Sequence, residues 1–275
     1  SVQERRTSYL IFLLLAWIVI IAIIPVSFVS AFVGLLPTEA ERQMFAATVR
    51  LNPVFIAFYG PLFSSSIGGL IAWRAAIIPM VVGVVSLITV IRHTRTEEEA
   101  GRRELLGSAV IGRHAGLAAA LSVTTGANLV MALLIGFGMI SQKLPAAGSF
   151  ALGLQYAAVG WVFAAIGAVA AQLTSRAGTA RALALSVLGL AFLLRIAGDV
   201  SSFKWLSWLS PLAWVAQIRP FANERWLIFV PVVGLVFVLT ATAFLLLSRR
   251  DLGGGLLPTR PGPATASPGF RSPIA

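Results

Sequence analysis

Cysteine is absent from the 275 residues. That excludes a disulfide framework and thiolate metal sites, and it leaves the compartment open. Charge is scarce: 11% of residues are Asp, Glu, Lys or Arg, against roughly 25% in a soluble domain. Only two histidines occur, His93 and His114, without the cysteines or paired acids that would complete a metal site. No G-x-x-x-x-G-K followed by Ser or Thr appears, so the usual phosphate-binding loop of an ATPase is missing. Ser108 lies between the histidines, but no acid–histidine–serine order or G-x-S-x-G elbow accompanies it. No acid falls in the middle of a long apolar run, where an ion-coupled carrier needs one.

What is present is apolar. Hydrophobic residues make up 58% of the chain and the mean hydropathy is +0.90. One core cannot hide so much, so lipid is the solvent for much of the surface. A helix needs about 20 apolar residues to cross a bilayer. Six runs meet or approach this, at about 8–32, 73–91, 117–140, 151–173, 182–198 and 226–247. The first is too long for a signal peptide, whose apolar run spans about 7–15 residues. Pro25 and Pro79 sit inside runs, where neighbouring helices re-satisfy the freed carbonyls. The expected fold is an all-α membrane protein with six transmembrane helices over 1–250. Residues 251–275 are rich in Gly and Pro and read as a flexible tail or linker. The first residue is Ser1, as expected of a chain that is processed or cut from a longer one.

Arginine gives a direction. The segments holding Arg5, Arg6, Arg92, Arg95, Arg102, Arg103, Arg113, Arg176, Arg181, Arg249 and Arg250 share one side, and the opposite segments are poorer in basic residues. The positive-inside rule places the richer side, with both termini, in the cytoplasm. On the other side, 33–72 and 198–225 are long yet apolar, and Trp205, Trp208 and Trp214 are rings of the kind found at a lipid–water interface. Both stretches read as short helices on or dipping into the outer leaflet.

The charge that exists is concentrated in "IRHTRTEEEAGRRELLG", residues 91–107. Thr96 followed by Glu99 fits a capping box. Glu97, Glu98 and Glu99 suit a positive helix start. Glu98–Arg102 and Glu99–Arg103 have the favourable four-residue, acid-first spacing. A helix over 97–106, closed by Gly107, is predicted. Ten residues do not hold a helix alone in water. Pattern alone fits two readings equally: a docking helix for a soluble partner, and a solvated charged loop.

The stretch resembles the first cytoplasmic loop of type-2 ATP-binding-cassette (ABC) exporter permeases, closest to the actinobacterial drug and polyketide-antibiotic branch. The family pattern R-x-E-E-x-x-G-R-x-E-L-L is met by Arg95, Glu97, Glu98, Gly101, Arg102, Glu104, Leu105 and Leu106. A second pattern, S-P-x-x-W…R-P-F…E-R-W, is met by Ser210, Pro211, Trp214, Arg219, Pro220, Phe221, Glu224, Arg225 and Trp226. "SRRDLGGGLLPTRPGPA" resembles the stretch after the sixth span.

The resemblance implies one six-helix permease half in a bacterial plasma membrane, with both ends cytoplasmic. It implies a coupling helix docked on an ATPase through Thr96, Glu97, Glu98, Glu99, Arg102, Arg103, Glu104, Leu105 and Leu106. It implies two ABC ATPase subunits, which hold the ATP and Mg, a second permease half, and a hydrophobic drug, antibiotic or lipid-like substrate. No cofactor in this chain and no nucleic acid are implied. The family tends to place an amphipathic helix before the first span, where this chain has "SVQERRT". The alternative is an ion-coupled secondary transporter or channel.

Arg195 and Asp199 are four apart near the far end of the fifth run. They read as an ion pair closing that end of the bundle, the candidate outer gate. Thr124, Thr125, Asn128, Gln155 and Gln172 read as interhelical hydrogen-bonding groups, each contributing about 1 kcal/mol.

Overall fold

A computed structural model describes residues 2–99, 114–249 and 255, with side chains from residue 16 onward. It is all-helical over these residues, and six helices are long and apolar enough to cross a membrane. The first, α1 (Val2–Leu35), runs unbroken through Pro25. Three short helices follow: α2 (Glu39–Arg50), α3 (Pro53–Tyr59) and α4 (Ile67–Arg74). Then come α5 (Ile78–Ile91), α6 (Ala115–Ser141), α7 (Ala146–Leu173) and α8 (Ala177–Val200). A short α9 (Pro211–Ala216) precedes α10 (Phe229–Arg249).

The expected second run began at Trp73, but the chain breaks there. Trp73 lies in the last turn of α4, which ends at Arg74, and Pro79 lies in the first turn of α5 rather than in a helix interior. First-turn proline is tolerated because its missing N–H has no helical partner anyway. At the break the carbonyl of Ala75 accepts the Ile78 N–H at 3.0 Å in place of a regular α-helical bond, and buried Tyr156 on α7 adds its hydroxyl at 3.1 Å. Such repair from a neighbour is what a broken helix needs where water is absent. The fifth run begins earlier than hydropathy suggests. Arg181 interrupts the apolar window, but it sits exposed on a helix that already started at Ala177.

Helix α7 is the axis of the fold, buried along most of its length. Its Gly153, Gly160 and Gly167 recur every seven residues, which keeps them on one face. A β-carbon at Gly153 would stand 2.2 Å from the Ala132 carbonyl oxygen of α6. One at Gly160 would meet Asn128 at 2.3 Å, and one at Gly167 would meet the Leu87 carbonyl of α5 at 2.9 Å. Small residues thus let backbones touch, which is how helices associate in lipid. Asn128, fully buried, donates to Ser86 on α5 at 3.0 Å and to the Thr124 carbonyl at 2.9 Å. Gln155 of α7 donates to the Val215 carbonyl of α9 at 3.1 Å. Two of the expected polar groups therefore join elements.

Gly153→Ala is expected to destabilise the bundle by about 1–3 kcal/mol or more through overpacking. Gly126, with open space around it, is the control: Gly126→Ala is expected to leave stability unchanged or raise it by up to about 1 kcal/mol. Thermal unfolding of the two detergent-purified variants checks the contrast.

Candidate functional site

The two ends of the bundle differ. One gathers the termini of α5, α7 and α10 with the starts of α6 and α8, and carries the charged segment. The other is covered by α2, α3, α4, α9 and their connections.

At the charged end no new helix starts at Thr96. The helix of α5 continues through a wide π-helical turn, Arg92–Thr96, into Glu97–Glu99. Thr96 is therefore inside a helix, and the expected capping box does not form. Nothing in 91–99 breaks a helix: no Gly or Pro occurs there, and Thr94 returns its hydroxyl to the Val90 carbonyl at 2.6 Å. The acids find other partners. Glu98 pairs with Arg95 at 3.1 Å, and both side chains are almost completely buried. Arg95 also donates through Nε to the Ser175 carbonyl, in the link between α7 and α8, at 3.0 Å. Glu99, an exposed residue, accepts the backbone N–H of Ala177 at 3.0 Å. Ala177 opens α8, whose own cap residue Arg176 supplies no side-chain bond. A carboxylate from a distant segment thus caps α8, where an orphan N–H and the helix dipole both favour negative charge. Glu97 stays half-exposed, 3.2 Å from His93. Of the remaining docking candidates, Arg102, Arg103, Glu104, Leu105 and Leu106 lie outside the described residues.

At the covered end Arg195 and Asp199 approach to 3.8 Å, both mostly buried. Sequence showed the pair but not the third partner. Arg195 Nη2 donates to the carbonyls of Ala57 and Phe58, at 2.6 and 3.0 Å. These carbonyls are in the last turn of α3, at the negative end of its dipole. The Phe192 ring lies 5.1 Å from the guanidinium. Arg195 therefore fastens α3 onto α8.

The second sequence pattern resolves into structural parts. Ser210 caps α9 and donates its hydroxyl to the Ala191 carbonyl of α8 at 2.7 Å. Arg219, Phe221 and Asn223 all adopt positive φ, a costly backbone for side-chain-bearing residues. Two contacts hold this turn. Glu224 accepts the Phe221 N–H at 3.1 Å. The Phe221 ring fills the space left by Gly68 of α4 and Gly148 of α7, where β-carbons would meet it at 2.5 and 2.2 Å. Burial, then the nearby Arg225, lowers the pKa of the Arg219 guanidinium, which lies 4.3 Å over the Phe63 ring.

Two adjoining clefts lie at this end and share Ala76, Gln155 and Ala216. Each is about 40 Å³, far below the roughly 300–1,000 Å³ of a drug-sized site. α5 shares one apolar cluster with α1 and another with α8, and still exposes Val81 and Ile88, as does Ile77 just before it. α1 adds exposed Val19, Ile20 and Ile23, and α8 adds Leu185, Leu190 and Leu193.

Over 259 residues, 94% of its length, the chain is 39% identical to the multidrug efflux system permease protein of Mycobacterium tuberculosis. The chain is a homologue of an efflux permease. No protein-family model matches it. The aligned stretch is 47% of that protein, so this permease homologue spans about half the length of its relative. Its six apolar helices fit one permease half, and the relationship read from the two motifs is borne out. With these six helices the chain is a multi-pass membrane protein.

Arg195→Ala is expected to free α3 and leave Asp199 without its counter-ion, at about 3–5 kcal/mol for a broken buried pair. Limited proteolysis should then cut within residues 53–59, and the melting temperature should fall. An unchanged digestion pattern would show that α3 is held by other means.

Proposed function

We propose that the chain is one permease half of an ATP-driven ABC exporter that moves hydrophobic drugs, antibiotics or lipid-like compounds out of the cell. The observation that carries this is the charged helical extension of α5, with its R-x-E-E pattern, at the arginine-rich end of the bundle. Both termini and that end face the cytoplasm, as the positive-inside rule asks, in a bacterial plasma membrane. Two ABC ATPase subunits, carrying ATP and Mg, dock there. The sequence has no phosphate loop of its own, which fits a motor supplied by other chains.

The substrate cavity lies between this half and a second one, against the apolar face of α1, α5 and α8. That placement suits clefts inside this half that are too small for a drug. Nucleotide closes the ATPases, the charged segments move, and the cavity opens outward past the Arg195–Asp199 pair. Because Glu98 is buried against Arg95 and Glu99 is engaged by the Ala177 N–H, the ATPase contact falls to Glu97, Arg102, Arg103, Glu104, Leu105 and Leu106. An ion-coupled carrier is the weaker reading, since the charged pair Arg195–Asp199 sits near a helix end rather than mid-span.

The test is reconstitution of the tagged chain with the second permease half and the ATPase encoded beside it. ATP hydrolysis is expected to rise with substrate, and transport to survive a proton uncoupler. Arg102→Glu with Arg103→Glu should abolish both the stimulation and co-purification of the ATPase, while the protein still inserts. Failure of the unmutated chain to retain any nucleotide-binding subunit would overturn the proposal.

A further inference from the structure

We propose that Glu99 is the joint through which the ATPase stroke reaches the fifth span, α8, so that α8 rather than α5 is the element driven. This rests on the exporter reading above. Three observations place the joint. First, α5 is clamped to α7 where Gly167 meets the Leu87 backbone, so the membrane part of α5 is a poor candidate to move. Second, the π-helical turn Arg92–Thr96 separates that clamped part from Glu97–Glu99. Such turns carry weaker hydrogen-bond geometry and recur at functional positions. Third, two bonds cross toward the start of α8: from within the turn, Arg95 Nε to the Ser175 carbonyl in the link before α8, and from beyond it, the Ala177 N–H to Glu99 Oε2. Force applied past the turn thus meets a rigid support on the α5 side and a movable partner on the α8 side.

Helix α8 is built to move as one body. Much of its surface is exposed, and its other end is tied by Arg195 to α3 and by the Ala191 carbonyl to Ser210. A displacement at Ala177 is therefore delivered along a continuous helix to the covered end, where the proposed outer gate lies. Glu99 is a positioning residue: it touches no substrate and acts through the first N–H of α8.

The assembled transporter in vesicles tests this, with substrate transported per ATP hydrolysed as the readout. Glu99→Ala is expected to lower that ratio about tenfold, within the usual range of coupling between sites, with substrate-stimulated hydrolysis retained. Glu99→Gln keeps an oxygen that accepts the Ala177 N–H and is expected to keep the ratio. The chain has no native cysteine, so the pair Glu99→Cys with Ala177→Cys is bridged by a short bis-maleimide, which adds to both thiols, without background from this chain. With the other subunits made cysteine-free as well, that pair is expected to behave like Glu99→Ala when open and to regain the ratio when bridged. An unaltered ratio in Glu99→Ala, a pair that does not bridge, or a bridged pair that stays uncoupled would each overturn the joint. Loss of stimulated hydrolysis in the unmutated transporter would instead sink the exporter reading beneath it.

Discussion

The contact of bare backbones along α7 is the constraint on which the rest of the structure depends. In lipid, apolar side chains gain little by leaving one apolar surface for another, so helices are held by dispersion at short range and by hydrogen bonds. Gly153 and Gly160 bring α6 against α7, and Gly167 brings α5. Asn128 sits in the space cleared by Gly160 and reaches Ser86, which joins α5 to α6 as well. These three helices form a rigid centre. The helices that expose most apolar surface, α1, α8 and α10, are arranged around it.

Charge is used at the two ends of this centre and almost nowhere between them. Each cluster ties something to α8. Glu99 meets its first turn, and Arg195 reaches from its last turns to α3. Both bonds involve the unpaired groups of a helix terminus, the N–H donors of α8 and the carbonyl acceptors of α3. A helix end in a dry environment must find such partners, so the charged side chains meet a need that the backbone already has. That need accounts for a buried Arg195 in so apolar a chain despite the cost of desolvation, and Glu98 and Asp199 serve as counter-charges to Arg95 and Arg195.

The six spans were legible because their signal is length and hydropathy, which need no partner to be read. The Arg195–Asp199 pair was legible because four-residue spacing on a helix is local. What escaped depends on distant segments. Thr96 and Glu99 have the spacing of a capping box, but the box requires the chain to leave helical geometry before Thr96, and no residue there makes it do so. Glu99 caps a helix that starts 78 residues later, and no local pattern announces that. The glycine period of seven in α7 was present in the sequence and is the one missed signal that was available. Phe221 and the two glycines that admit it lie on three separate segments, so their fit appears only in the folded chain. Pro79 looked internal because hydropathy does not register a break followed directly by more apolar residues.

The π-helical turn after α5 also sets phase. An ordinary α-helix advances about 100° per residue, so the exposed apolar stripe of Val81 and Ile88 would dictate the bearing of every later side chain. The wider turn, which itself carries Arg95, absorbs an additional residue and resets that bearing before Glu98 and Glu99 arrive. The apolar azimuth of the span and the azimuth of the charged cluster are thereby independent. The exposed apolar face of this helix is free to be re-tuned residue by residue without swinging the acids away from the neighbouring helix start.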